Sequence, residues 1–299
     1  MPAPGQPPPF DLQAHSTRSD GALEPSGVVA AAATAGVALL ALSDHDTLAG
    51  VADALAAGSE HGVQVVPAIE ISSIDDGGER AGPRELHILG YLVDHTDRAF
   101  NETLERFLAD REQRTLRMAE NLRSAGLQLD TAAIDARIAA GEPIGRPHLA
   151  EAVLAHPGNA ERLREEQIDD VGSLIRGYLI EGKSAFALRE TPTVAEAIEA
   201  IHAAGGVAIW AHPFWDVEDP EEVLATIDRF RALGIDGVEA FYVTHTREQT
   251  ELVAAHCEQL GLLSTGSADF HGPENRLFSR FLAFETYGLT PNLGPIWPG

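Results

Sequence analysis

Short β-branched and leucine-rich runs alternate with helical stretches along most of this chain, and that alternation most constrains its fold. The runs are Phe10 to His15, Val37 to Leu42, Val63 to Ile71, Glu85 to Val93, Val207 to Ala211, Ile235 to Phe241 and Leu262 to Ser267. Helices are expected from about Ser26, from about Leu48, from Thr193 to His202, from Pro220 to Leu233 and up to Leu260, with Ser26 and Asp44 where cap and turn residues belong. Strands that alternate with helices in this way predict a parallel sheet covered by helices.

One section breaks the rhythm. From about Thr96 to Arg189 the chain carries helical periodicity rich in Arg and Glu, as in LERFLADREQRTLRMAENLRSAG, with almost no strand signal. A discontinuous barrel over residues 10–95 and 190–286 is therefore expected, interrupted by a helical insertion over 96–189. The proline-rich stretch 1–9 and the Pro- and Gly-rich stretch 287–299 read as flexible termini.

Charge and cysteine usage narrow the function. Against 46 acidic residues stand 21 basic ones, a formal charge of -25 that repels long polyanions, so duplex DNA is not an expected partner. Bound divalent cations invert the local field, so a small phosphate remains open to an acidic protein. The single Cys257 excludes an internal disulfide and a cysteine-based zinc cluster, and a reducing, cytoplasmic compartment is expected. The most apolar run, Val28 to Leu42, is too short to span a membrane, has acidic flanks, and is split by Gly36 into an Ala-rich helix and a buried strand.

Chemistry collects at strand ends. DLQAHSTRSDG, Asp11 to Gly21, packs four metal-capable side chains into eleven residues, and the period of two along a strand aims Asp11, Gln13 and His15 at one face. SDHDT (43–47), AIEISS (68–73), LHILGY (86–91), WAHPFW (210–215) and GSADFH (266–271) each add His, Asp or Glu where a strand should end. In βα architectures the carboxyl ends of strands carry functional groups. His, Asp and Glu without Cys make a nitrogen and oxygen site suited to Mn, Fe, Zn or Mg. Two or more such metals are the usual device for attacking a phosphate ester with hydroxide.

These motifs, in this order, resemble the PHP (polymerase and histidinol phosphatase) superfamily, and the likeness runs from about Asp11 to Gly272. The insertion, with IGRPHLA (144–150) and YLIEGKSAF (178–186), and AIEAIHAAGG (197–206) just beyond it look like the branch that dephosphorylates nucleoside 3',5'-bisphosphates and trims short RNA from the 5' end. The resemblance implies a distorted (βα)7 TIM-like barrel, two to three divalent metals, and an insertion covering the active site. It implies Gln13, His15, Glu70 and Asp269 at a first metal, Glu70, His87 and His212 at a second, and Asp20, His45 and His271 at a third. Catalysis would centre on His45, Glu70, His212 and His271. Arg146 and His148 would contact phosphate, with Lys183 and His245 toward the far end of the substrate. Asp11, Asp44 and Asp46 would orient metal-bound histidines, although turn capping explains Asp46 equally well.

The family has His where this chain has Gln13, and an amide oxygen is a poorer ligand than imidazole for Zn or Fe. The first metal would then have three protein ligands and water, or bind only with substrate, or be a hard cation such as Mn or Mg. The leading expectation is a metal-dependent phosphoesterase acting on a small nucleotide. The alternatives are a phosphomonoesterase for a non-nucleotide such as histidinol phosphate, which the GRPH insertion argues against, and a metal-dependent nucleotide-binding protein without turnover, motivated by Gln13 alone.

Overall fold

Seven strands pair in chain order into one sheet in a computed structural model that describes residues 7, 9–78, 82–180 and 182–297. They are β1 (Phe10–Asp11), β2 (Leu39–Leu42), β3 (Gln64–Asp75), β4 (Arg84–Tyr91), β5 (Val207–Trp210), β6 (Gly237–Tyr242) and β7 (Leu263–Ser267). The two ends of the sheet also meet. Leu12 N–H donates to the Gly266 carbonyl at 3.2 Å, His15 N–H to that of Phe270 at 2.8 Å, and Phe270 N–H to that of Gln13 at 3.3 Å. The sheet thus returns on itself as the seven-stranded, TIM-like barrel that the resemblance implied.

Helices α1 (Pro25–Ala35) and α2 (Val51–His61) flank β2 in sequence. Between β4 and β5 come α3 (Arg98–Ser124), α4 (Ala132–Ala140), α5 (Arg146–Leu154), α6 (Ala160–Glu165), α7 (Val171–Leu174) and α8 (Val194–Ala203); α9 (Pro213–Asp216), α10 (Pro220–Leu233) and α11 (Arg247–Leu260) complete the set. Gly36, at φ 86°, ends α1 in the left-handed conformation and divides the apolar run as its sequence predicts. Thr246 and Gln249 open α11 with a reciprocal cap, each side chain accepting the other's backbone N–H.

The chain forms two compact units, one from the segments up to Leu104 and from Pro192, the other from Glu105–Thr191. The second has its own apolar core, including Leu122, Leu149, Val153, Leu174 and Leu179. Buried arginines tie its chain together. Arg111 donates to the Ile144 carbonyl at 2.9 Å, and Arg189 to those of Phe107 at 2.6 Å and Thr191 at 3.0 Å.

Two expectations are corrected. The sheet is not wholly parallel: β4 runs antiparallel to both β3 and β5. The connection from Asp75 to Arg84 is too short for a helical crossover, so the chain can only turn back as a hairpin. The closing stretch is also not a loose tail. Asn292 bridges to Ser264, and Leu293 and Ile296 are buried in the core with Phe10 and Leu39. Most of the proline-rich leader, residues 1–6 and 8, lies outside the described residues.

Candidate metal centre

Glu70, 1% exposed on β3, lies at the middle of an arc of imidazoles. Its Oε1 is 2.6 Å from His87 Nδ1 and 3.1 Å from His212 Nε2, while its Oε2 is 3.0 Å from His15 Nε2 and 3.6 Å from His45 Nδ1. Ring centroids of His271, His15, His45, His87 and His212 follow one another at 4.3, 4.6, 5.0 and 5.2 Å. The antiparallel β4 explains His87. It pairs with Ser72, so it shares a sheet face with Glu70 one diagonal away, and the reversed strand brings its beginning, rather than its end, to the site.

Among the described residues, three groups offer donor atoms lying within 4.8 Å of one another: His15, Asp20, His45 and His271; His45, Glu70 and His87; and His15, Glu70 and Asp269. His212 reaches Glu70 without joining a group, and His15 and His45 each belong to two. The DLQAHSTRSDG segment keeps its alternation past the end of β1: Gln13 and His15 are fully buried toward the site while Leu12 and Ala14 fill apolar clusters. Its return toward Asp20 requires Gly21, where a Cβ would lie 2.1 Å from the His15 carbonyl oxygen. His212 (φ 31°) and Asp269 (φ 53°) follow β5 and β7 in left-handed conformations that side chains rarely adopt. Asp46 (φ 55°), after β2, does the same.

Burial works against the charges of Glu70, Asp269, His15 and His212, and neighbouring groups of opposite charge offset it. His45 and His87 hold the Glu70 carboxyl well below its ordinary range despite burial. His271 and His15 lower Asp269 against the same penalty. Burial disfavours the His15 and His212 cations, yet Asp269 and Glu70 beside the first, and Asp216 and Glu70 beside the second, raise both well above the usual imidazole value.

The donor set fits divalent cations. His15 Nε2, His87 Nδ1 and Asp269 Oδ1 are buried and make no hydrogen bond of normal geometry, although oppositely charged atoms stand 2.6 to 3.1 Å away. Buried polar atoms left in this state are costly. Cations held between them would satisfy imidazole nitrogens and carboxylate oxygens together.

The supporting residues only partly follow expectation. Asp44 accepts from the Ser16 N–H and hydroxyl, both at 2.7 Å, and from the Ser19 hydroxyl at 2.6 Å; Ser19 Oγ lies 3.4 Å from His15 Nδ1. Asp11 orients no histidine. It accepts from the backbone N–H of Ala268 and Leu282, fixing the approach to Asp269, and burial pushes its carboxyl up to about 7. Asp46 accepts from Ser72 N–H at 3.1 Å, a bond across to β3 rather than within its own turn. Glu239, Ser267 and Tyr242 contribute without a sequence expectation behind them. Glu239 accepts the His212 backbone N–H at 2.9 Å and the Ser267 hydroxyl at 2.6 Å, and burial lifts it to about 8. Tyr242 donates to Asp269 at 2.8 Å. An acidic residue inside the otherwise apolar, wholly buried GVEAFY strand was the available signal.

The PHP domain profile matches residues 11–138. A 5'-3' exoribonuclease of Haemophilus influenzae is 35% identical over 264 residues, covering 88% of this chain and 90% of its own. This chain belongs to the PHP domain family. A 3',5'-nucleoside bisphosphate phosphatase of Chromobacterium violaceum is 29% identical over 291 residues, 96% of this chain and 95% of its own. Among solved structures, a protein of Bifidobacterium adolescentis described as a metal-dependent phosphoesterase has a TM-score of 0.73 at 26% identity, covering 91% of each chain. As a PHP metal-dependent phosphoesterase, this chain is a hydrolase.

The remaining PHP candidates are separate from the histidine arc in the chain. Arg146 and His148 lie in the first turn of α5, in the second unit, where Gly145 N–H donates to His148 Nδ1 at 3.1 Å. Lys183 is exposed in the turn after Ile180, in the same unit. His245 is buried beneath Phe214 and Tyr242, its Nδ1 3.1 Å from the Ala240 carbonyl, and burial pushes its pKa down to about 4. Among the described residues no helix is long and apolar enough to cross a membrane.

Proposed function

We propose that this chain hydrolyses a phosphate ester of a small nucleotide, a nucleoside 3',5'-bisphosphate or the 5' end of a short oligoribonucleotide. The observation that carries this reading is the double engagement of Glu70, one oxygen toward His87 and His212 and the other toward His15 and His45. A carboxylate shared in this way suits adjacent cations, and the names of the Haemophilus and Chromobacterium relatives supply the substrate class.

In this reading His15 and Asp269 would hold a first cation, His87 and His212 a second, and Asp20, His45 and His271 a third, with Glu70 a donor to the first two. Mn, Fe or Zn suits the donors, and Mg suits the carboxylates. Divalent cations so held supply an activated water and offset charge on the phosphate. The residues do the rest. Glu239 anchors the backbone of His212, Tyr242 steadies Asp269, and the Ser16, Ser19 and Asp44 hydrogen bonds hold the loop behind His15. Arg146 and His148 grip phosphate, the guanidinium through its planar fork of donors, and Lys183 and His245 serve the far end of the substrate. The lone, buried Cys257 accords with work in a reducing cytoplasm.

The test is phosphate release from adenosine 3',5'-bisphosphate, a short 5'-phosphorylated oligoribonucleotide and histidinol phosphate, each with Mn, Zn, Fe(II) or Mg. Release from either nucleotide in preference to histidinol phosphate is the expected result. Preference for histidinol phosphate would overturn the nucleotide reading, and metal-dependent nucleotide binding without release would make the chain a binding protein.

A further inference from the structure

We propose that Trp215 and Phe278 form a platform on which the nucleobase of the substrate stacks. The proposal rests on the nucleotide reading above and adds to it a second point of contact, remote from phosphate.

Trp215 is half exposed, at 50%, although it lies only three residues beyond His212. Large apolar side chains exposed to this degree are few among the described residues, and Trp215 is the aromatic one. Its position is set by the single turn of α9, where Trp215 N–H donates to the His212 carbonyl at 2.8 Å. Its ring meets Phe278 edge-on, with centroids 5.6 Å apart and planes at 61°. Phe278 in turn lies 5.4 Å from the His271 ring and 6.3 Å from Tyr242, the donor to Asp269. Two ring contacts therefore lead from the metal centre to an exposed indole.

Phe278 is as firmly placed as Trp215. His271 N–H donates to the Phe278 carbonyl at 2.9 Å, and Asn275 Oδ1 accepts from the N–H of Leu277 and of Phe278, both at 3.0 Å. Leu277, 51% exposed, widens the apolar surface next to it. Both aromatic residues thus hang on backbone bonded directly to a histidine of the centre, so their distance from a bound phosphate is fixed rather than left to a mobile loop. A rigid, uncharged ring beside a site that takes phosphate fits the one large flat apolar part of a nucleotide, its base. Every base offers a π-face, so the platform accepts all four bases and favours the larger purines.

The test uses the metal-loaded full chain with adenosine 3',5'-bisphosphate and with ribose 3,5-bisphosphate, which lacks the base. Trp215→Ala is expected to lower the ratio of kcat/KM for the nucleoside over the base-free ester about tenfold, within the range for a lost base stack, and Trp215→Phe to restore most of it. As a second measure, AMP should quench wild-type tryptophan fluorescence, with the quench lost in the melt-checked Trp215→Phe protein. An unchanged ratio in Trp215→Ala, with wild-type turnover of the nucleoside intact, would overturn the platform alone. A wild type that processes the base-free ester but not the nucleoside would overturn the nucleotide reading together with it.

Discussion

Gln13 donates its side-chain N–H to Glu70 Oε2 at 2.9 Å, the same oxygen that faces His15. The amide oxygen points the other way, 3.3 Å from the Ser267 hydroxyl, which in turn reaches Glu239 at 2.6 Å. Turning the amide over would set two oxygens against each other at Glu70, whose carboxyl is held ionised by its histidine neighbours. A donor nitrogen cannot ligate a cation, so in this arrangement the position supports the Glu70 carboxylate, and His15, Glu70 and Asp269 are the donors that could hold a cation there.

Gln13→His should therefore increase metal content, with a gain in first-site affinity on the order of 10- to 100-fold, and activity at limiting Mn should rise or hold. Chelation should empty the first site before the other two in the wild type. Metal analysis across a chelator titration of both proteins checks this; lower occupancy in the His variant would show that the amide's contacts to Glu70 and Ser267 matter more than an added imidazole.

His45→Ala and His212→Ala should each abolish turnover while the barrel persists. Both rings touch Glu70, and truncating either opens a cation to water at a point where the chain offers no substitute. Phosphate release, metal content and a circular-dichroism melt on each variant decide the matter; near wild-type rates in a folded variant would remove that residue from the site.

Arg146→Lys should raise KM for a nucleoside bisphosphate about tenfold with a smaller change in kcat, because an ammonium cannot reproduce a two-bond phosphate contact. Equal KM values for variant and wild type would reduce Arg146 to a residue that merely starts α5.

Acid should destabilise the protein partly through His245. Its folded pKa is pushed down to about 4 from an ordinary 6.5, so between those values the unfolded chain holds a proton that the folded chain does not. Stability contributed by the neutral ring is complete above about pH 6.5 and falls as pH drops toward 4, by up to about 1.4 kcal/mol per pH unit. In His245→Phe that part of the slope should vanish. Urea midpoints from pH 4 to 7, with chelator present in both proteins, measure it, and parallel slopes would contradict the assignment.

Much of this architecture is legible in the residues themselves. Each apolar run became a strand or strand-like segment, and α10 begins and ends at the predicted Pro220 and Leu233. His15, Asp20, His45, Glu70, His87, His212, Asp269 and His271 are implied as a set by the PHP resemblance of the motifs rather than by position alone, and the fold gathers them. The direction of β4 was not legible, because apolar alternation reads the same both ways and only loop length carries the reversal. Glu239 escaped notice for another reason. It lies in regular register opposite Thr265, inside an apolar run whose pattern marks only a buried strand, and the register shift that follows before Phe241 is announced by no periodicity. The packing of Leu293 and Ile296 was masked by surrounding Pro and Gly, whose turn-forming chemistry gives no hint that a turn will be pressed into a core.

The left-handed backbone at Asp46, His212 and Asp269 has a consequence for how this chain can change. Each such residue costs of the order of 1 to 3 kcal/mol that a glycine there would largely avoid. Selection for heat resistance alone would thus favour glycine at 212 and 269 and erase the centre while improving the scaffold. Thermal robustness and chemistry pull in opposite directions at the same few positions, and a stabilised descendant of this protein would have to seek its gains elsewhere, on α-helical surfaces or in the second unit.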